Sequence, residues 1–303
     1  MKKLVIATRR SRLALWQAQH IATRLESLHA GLRVELLPMS TRGDELIDRR
    51  LDQAGGKGLF VKELEAAMAD GRADLAVHSM KDVPADLPPG FVLAAIPARE
   101  DPRDVFISTK FSSLGQMPAG ASVGTSSLRR SAQIMERHPR LEARLLRGNV
   151  DTRLAKLDRG EYDAIVLAAA GLTRLGLEAR ITARLETEEM LPAPGQGALG
   201  IECLAGRAEV AAVLAPLVDA HTTTCVRAER AVSRALGGSC ALPLGAYAEL
   251  GSGQLRLRAL VASADGKKVI RTDCTGEAAD PQGLGERAAQ ELRRQGADEI
   301  LGI

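Results

Sequence analysis

The stretch Leu75-Ala76-Val77-His78-Ser79-Met80-Lys81-Asp82-Val83-Pro84 decides how this chain is read. Leu75 to His78 has the length and apolar character of a short buried strand. Pro84 biases Val83 towards an extended conformation, so the polar segment from Ser79 onwards leaves the strand as a loop. In open α/β sheets, ligands bind outside the carboxyl ends of the strands. Lys81 and Asp82 on such a loop are therefore candidate ligand contacts, with a solvated surface loop as the alternative.

The same alternation recurs on both sides. Leu4 to Ala7 reads as a strand, Ser11 as the cap of a helix with apolar positions Leu13, Trp16, Ile21, Leu25 and Leu28, and Val34 to Met39 as a second strand. Thr41 to Gly58 is polar and glycine-rich and is expected to form a long mobile loop, followed by a helix over Leu59 to Asp70 that stops at Gly71. Beyond Pro97, Val105 to Ile107, Ser122 to Gly124, Leu141 to Leu146 and Ala164 to Ala168 read as strands, with helices from near Thr125 to Ser127 and from Val150. Such alternation predicts α/β domains with mainly parallel sheets. The last third departs from it. A helix over Thr222 to Leu236 ends at Gly237-Gly238, and strands follow at Leu244 to Leu250, Leu255 to Ala262 and Lys268 to Thr272. Gly251-Ser252-Gly253 and Asp265-Gly266 supply hairpin turns, and a helix over Pro281 to Gln295 completes an α+β domain with an antiparallel sheet. No internal repeat is visible.

A chain of 303 residues exceeds the usual size of a single core, so two or three domains are expected. Aromatics at 2% leave Leu, Val, Ile and Ala to build the cores, and argue against stacking platforms for single-stranded nucleic acid. A net charge of +3 gives no general attraction to nucleic acid or anionic membrane, so neither is expected as a partner. The apolar run behind Lys2 and Lys3 is too short for a signal peptide, and no segment has the length of a membrane-spanning helix. A cytoplasmic location is expected. Cys203, Cys225, Cys240 and Cys274 form no CxxC pair and the histidines show no metal-binding spacing, so no metal site is expected.

Arginines gather beside small polar residues at strand ends. Gly124-Thr125-Ser126-Ser127-Leu128-Arg129-Arg130 feeds a helix amino terminus, where free N–H groups and hydroxyls suit an anion and the arginines add forked donors. Arg129 and Arg130 lie about 100° apart on a helix, so the two are not expected to serve one anion. Arg147-Gly148-Asn149 with Arg153, and Thr8-Arg9-Arg10-Ser11, repeat the pattern. An arginine near a helix start opposes the dipole and so hints at a ligand. Together these segments suggest one arginine-lined cleft, with plain helix caps and solvated arginines as the alternative. Gly237-Gly238-Ser239-Cys240 could present an accessible thiol on a loop. Most free cysteines are buried, and on the residues alone that reading is favoured for Cys240, as it is for Cys203, Cys225 and Cys274. Gly56-Lys57 lacks the rest of a phosphate-binding loop, and Gly195-Gln196-Gly197 is too short to specify a nucleotide site.

In order along nearly the whole chain, Ile6 to Arg9, Gly55 to Phe60, His78 to Pro84, Arg99 to Asp104, Gly124 to Arg130, Leu146 to Asn149, Leu167 to Leu172 and Gly195 to Gly197 resemble the porphobilinogen deaminase (hydroxymethylbilane synthase) family. The resemblance implies a transferase of tetrapyrrole (haem) biosynthesis. It would deaminate porphobilinogen, condense four molecules head to tail and release linear hydroxymethylbilane by hydrolysis. The resemblance also implies a dipyrromethane cofactor joined by a thioether to Cys240. Asp82 would be the catalytic carboxylate, holding pyrrole N–H groups and stabilising an azafulvene-like cation. Ser79, Lys81, Asp82, Thr125, Ser127, Arg129 and Arg130 are implied to bind the cofactor. Arg9, Ser11, Arg147, Arg153 and Arg174 are implied to bind substrate, Arg174 during elongation. Three domains are implied: residues 1–97 with 198–216, residues 103–191, and residues 220–303. The first two would resemble periplasmic binding proteins, with hinges near Pro97 to Arg103 and Met190 to Gly200. A monomer is implied, its product passing to uroporphyrinogen-III synthase. Two features depart from the family pattern: Gln53 replaces a lysine of some relatives, and Gly238-Ser239-Cys240-Ala241 replaces the commoner Gly-Gly-Cys. A two-lobed binding protein without chemistry would account for the lobes and the arginines, but not for Asp82 together with Cys240 in a separate domain.

Overall fold

The apolar run near the amino terminus forms β1 (Lys3–Arg9), and α1 (Arg12–Leu28), β2 (Arg33–Met39), α2 (Lys62–Ala69), β3 (Leu75–Ser79) and β4 (Phe91–Ala95) follow. The chain continues through β5 (Asp104–Ile107), β6 (Ser122–Thr125), α3 (Leu128–Arg137), β7 (Glu142–Leu145), α4 (Val150–Asp158), β8 (Ala164–Ala168), α5 (Ala169–Arg174) and β9 (Ala183–Leu185). It ends with β10 (Leu199–Leu204), α6 (Ala208–Leu214), α7 (Ala220–Ala235), β11 (Leu244–Gly251), β12 (Gln254–Ala262), β13 (Val269–Glu277), α8 (Pro281–Arg294) and α9 (Ala297–Leu301). The structure, a computed structural model, describes residues 2–41, 61–238 and 242–302. Nearly all of the loop expected over Thr41 to Gly58, with Gln53, lies outside the described residues, as do Ser239 and Cys240. The chain divides into two compact units, residues 1–100 with 198–223 and residues 101–197 with 224–303.

The first unit is built on one sheet of order β2-β1-β3-β10-β4. β1 is parallel to β2 and β3, whereas β10 is antiparallel to β3 and β4. Four of its five strands therefore run in one direction, as the alternation predicts, and β10 alone opposes them. β10 reaches the sheet only after the chain has passed through the second unit. On one face α1 packs Ala18, Ile21, Ala22 and Leu25 against Leu4, Ile6, Leu75, Val77 and Ile201. On the other, Leu64, Ala67 and Met68 of α2 cover Ala7 and Ala76. Trp16 and Leu28, expected in the buried stripe of α1, are 37% and 48% exposed. Small Ala14 and Ala18 and the polar Gln17 take the inward positions, and Trp16 stacks on His20 with ring centroids 5.0 Å apart. β4, β9 and β10 are additions to the strands read from the sequence. In β10 the fully buried Glu202 interrupts the apolar run that would have marked a strand.

The second unit holds two sheets. The larger has the order β7-β6-β8-β5-β9, with β6 parallel to β7 and β8, and β5 antiparallel to β8 and β9. Strand directions thus follow the pattern of the first unit's sheet without any repeat in sequence. The smaller is an antiparallel sheet of order β11-β12-β13. Its hairpin turn uses Ser252 and Gly253, with φ of 50° and 78°, which matches the twist of the flanking strands. α7 and α8 cover it through Ala228, Val232, Leu284 and Ala288. β13 runs on to Glu277, beyond the Thr272 end expected from its apolar residues, because its second half alternates exposed Asp273, Thr275 and Glu277 with half-buried positions. Cys203 and Cys225 are buried, whereas Cys274, expected to be buried, is only partly so. The backbone N–H groups of Ala246 and Ala248 on β11 donate to the Pro192 carbonyl at 3.0 Å and to the Glu229 carboxylate at 2.9 Å. Ala132 of α3, Leu191, Leu260 and Ala262 form a shared apolar patch between the two sheets' elements. No helix among the described residues is long and apolar enough to cross a membrane.

α8 approaches α7 at Gly285, where an added Cβ would lie 2.4 Å from the Ala228 carbonyl oxygen and 2.5 Å from the Ala231 Cβ. Gly285→Ala is expected to lower stability by about 1–3 kcal/mol through overpacking. Denaturant titration checks this, and an unchanged midpoint would show that the helices have room to part.

Candidate active site

β3 ends at Ser79, and Met80–Asp82 form a single 3-10 turn where an open loop is expected. Val83 is extended at φ −82° and ψ 125°, as Pro84 requires. The turn is fastened at two points. The Met80 N–H donates to the Ala198 carbonyl at 3.0 Å, and the Ser79 hydroxyl accepts from Gln17 Nε2 at 2.9 Å. Lys81 and Asp82 are half-buried. The Asp82 carboxylate makes no hydrogen bond or ion pair with any described residue. β1 and β3 are parallel neighbours, and Arg9 and Ser11 therefore leave the sheet at the same end as Ser79–Asp82. Arg9 is half-buried, and the Ser11 hydroxyl caps α1 by accepting from the Ala14 N–H at 3.3 Å.

Behind this turn lies a buried polar cluster. His78 Nε2 is 2.9 Å from Glu202 Oε2, with side chains 5% and 0% exposed. Glu65 of α2 lies within electrostatic reach of both. Burial, then the charge of Glu202, pushes its carboxyl up to about 7, with His78 and Lys62 acting in the opposite direction.

In the second unit β6 and β7 are parallel neighbours, which brings Thr125 and Arg147 to one end of the sheet. The Thr125 hydroxyl accepts the Ser127 N–H at 3.2 Å, and Ser127 caps α3 by accepting the Arg130 N–H at 3.4 Å. Asn149 caps α4 by accepting the Thr152 N–H at 2.8 Å. Arg153 links the two helix starts, donating to the Gly148 carbonyl at 2.8 Å and to the Ser126 hydroxyl at 3.1 Å. Thr125, Ser127, Arg147 and Arg153 thus cluster about two helix amino termini, an arrangement suited to anions.

Arg129 and Arg130 behave differently from expectation. Both serve one anion, and it belongs to the protein: the Asp104 carboxylate receives Arg129 at 2.7 Å and Arg130 at 2.8 Å. Their side chains converge despite diverging from the helix, because Asp104 begins the strand beneath the first turn of α3. Arg129 also donates to the Leu191 carbonyl at 2.6 Å and Arg130 to the Val166 carbonyl at 3.0 Å. Gln196 Nε2 donates to Asp104 at 2.9 Å and to the Pro102 carbonyl at 2.7 Å. Burial alone would raise the Asp104 carboxyl, but the two guanidiniums reverse this and hold it well below the usual carboxylate range. Any ligand of Arg129 and Arg130 must share them with Asp104. Arg174 is also buried, donating to the Gly197 carbonyl at 2.6 Å.

Gln17, Glu65 and Glu202 go unmarked in the sequence, and Asp104 and Gln196 fall within matched runs without a role of their own. A signal existed for Gln17, a polar residue on the inward stripe of α1, and for Asp104, joined directly to the apolar run Val105 to Ile107. Cys240 lies outside the described residues. Among the described residues no cluster of His, Cys, Asp or Glu could hold a metal ion.

Residues 4–212 match the family described as porphobilinogen deaminase, dipyromethane cofactor binding domain, and residues 223–294 match the porphobilinogen deaminase C-terminal domain. The porphobilinogen deaminase of Bordetella parapertussis is 59% identical over 301 residues, covering 99% of this chain and 96% of the relative. That of Burkholderia thailandensis is 60% identical over 301 residues, covering 98% and 92%. Among solved structures, the methionine-binding protein MetQ aligns with a TM-score of 0.47 at 13% identity, over 71% of this chain and 89% of that one. The Escherichia coli periplasmic aliphatic sulphonate binding protein SsuA aligns with a TM-score of 0.42 at 13% identity, over 77% and 70%.

Removing one member of a buried charge cluster leaves its partners uncompensated. Asp104→Asn is therefore expected to cost about 3–5 kcal/mol of stability. A variant that melts with the wild type would show that the guanidiniums find other acceptors.

Proposed function

Since the chain belongs to the porphobilinogen deaminase family, we propose that Asp82 is its catalytic carboxylate and Cys240 the attachment point of its dipyrromethane. The chain is a transferase, a hydroxymethylbilane synthase of tetrapyrrole biosynthesis, and porphobilinogen is its substrate. The observation that carries the reading of Asp82 is its half-buried carboxylate, which no described residue engages, on a turn fastened by Gln17 and Ala198.

The described residues fit a dipyrromethane. Its pyrrole N–H groups match a carboxylate with no donor among the described residues, and its acetate and propionate arms match hydroxyls, backbone N–H groups and guanidiniums at helix amino termini. Ser79, Lys81, Thr125 and Ser127 would hold those arms. Arg129 and Arg130 offer two positive charges against the one negative charge of Asp104, leaving one for the cofactor. Arg9, Ser11, Arg147 and Arg153 would hold the carboxylates of porphobilinogen, and Arg174 would act in elongation. When bound, the dipyrromethane supplies the free α-carbon to which the first substrate is joined.

Porphobilinogen becomes cationic at its pyrrole as ammonia departs. Asp82 stabilises that charge by its own charge and by accepting the pyrrole N–H, in a position fixed before the reaction begins. Each addition brings two more carboxylates, and the arginines offset the repulsion that Asp82 alone would exert on them. The order of events is four deaminations and condensations, then hydrolytic release of hydroxymethylbilane.

The three-domain division (residues 1–97 with 198–216, 103–191 and 220–303) is supported by the separate core beneath the antiparallel sheet. A cytoplasmic monomer that passes its product to uroporphyrinogen-III synthase completes the proposal.

Asp82→Asn is expected to reduce turnover by about 10²–10³-fold, the scale of removing one electrostatic stabiliser, with the melting temperature preserved. Near-normal ammonia release by this variant would refute the role. Intact mass spectrometry should find the protein heavier than its sequence by a covalent pyrrole pair, mapped to the peptide containing Cys240 and lost in Cys240→Ala. Attachment at Cys203, Cys225 or Cys274 would overturn the assignment.

A further inference from the structure

Three alternate positions near the start of β10 and along it hold the segment that carries Asp82. The Ala198 carbonyl accepts the Met80 N–H at 3.0 Å. Gly200 receives the Met80 side chain so closely that a Cβ there would lie 2.7 Å from Met80 Cε. Glu202 holds His78 at 2.9 Å. Met80 is 1% exposed, so the turn cannot move without disturbing this packing.

Glu202 itself is hard to explain by stability. It sits fully buried in a strand, and its Oε1 has no hydrogen-bond partner among the described residues. Apolar residues of similar volume commonly serve a core as well as a buried charged pair or better. None of Glu202, His78 and Glu65 touches the reaction described above. We propose that Glu202 is a positioning residue: by holding His78, it fixes the Ser79–Asp82 segment and hence the direction of the Asp82 carboxylate. This rests on the reading of Asp82 as the catalytic group.

Glu65 supplies the means of testing the cluster. The charged groups acting on it are Glu202 on β10, His78 on β3, and Lys62 and Glu63 on its own helix. Burial raises its carboxyl to about 7. The protonated form is therefore complete below the ordinary carboxylate range and is lost as pH rises through about 7. Once ionised, Glu65 adds a second negative charge that acts on Glu202 and His78.

The test compares wild type, Glu202→Gln, His78→Gln, the double variant, Glu65→Gln and Asp82→Asn for porphobilinogen consumption from pH 6 to 9, each as the cofactor-loaded protein. Glu202→Gln is expected to lower kcat about tenfold with KM within about twofold and melting temperature unchanged, and the double variant should be no slower than the slower single one. Wild-type kcat should decline above about pH 7, and that decline should be missing from Glu65→Gln, which also serves if Glu202→Gln does not fold. Normal kcat in Glu202→Gln, multiplicative losses in the double variant, or matching pH profiles for wild type and Glu65→Gln would overturn the proposal. Normal turnover in Asp82→Asn would instead refute the reading on which it rests.

Discussion

The Asp104 carboxylate lies fully buried between two guanidiniums, and much of the second unit is arranged around it. It fixes the start of β5, the first turn of α3 and, through Gln196, the segment that leads out of this unit towards β10. Arg129 extends the same network to the Leu191 carbonyl, where Gln133 also binds. A charge cluster of this kind contributes little net stability compared with packed hydrocarbon, but breaking it is costly. Its effect is to define one arrangement of three segments that are far apart in sequence. The helix amino terminus that carries Thr125 and Ser127 is held by that arrangement.

Much of the fold is legible in the sequence, and the gaps have a common cause. β1, β3 and β8 are short apolar runs, and the caps Ser11, Ser127 and Asn149 stand where the helices begin. Polar residues placed inside are the exception. Glu202 hides β10, and Gln17 shifts the buried stripe of α1 by one position, so that Trp16 turns outward. Periodicity scores a charged or amide side chain as surface, and a buried partner on a distant strand cannot be seen from its neighbours. The one strand that opposes the rest of the first sheet, β10, joins it from a remote part of the chain.

For the site, residue types at strand ends suggest anion contacts, and the family resemblance implies the roles proposed for Asp82 and Cys240. What neither could show is how the arginines divide. Arg153 reaches a helix start at the surface, whereas Arg129, Arg130 and Arg174 are buried against protein acceptors. Adjacent arginines in a sequence look equivalent until the carboxylate that pairs with them is located.

The small antiparallel sheet has two outer strands, each with backbone groups that a stray strand could join. On β11 those groups are occupied: the Pro192 carbonyl takes the Ala246 N–H, and the Glu229 carboxylate takes that of Ala248. β13 instead carries Arg271, Asp273 and Glu277 along its exposed positions, with Asp273 bound to Arg256 at 2.6 Å. A second molecule docking there would have to strip water from those ions and find partners for them. Both edges of the sheet therefore carry features that disfavour edge-to-edge pairing.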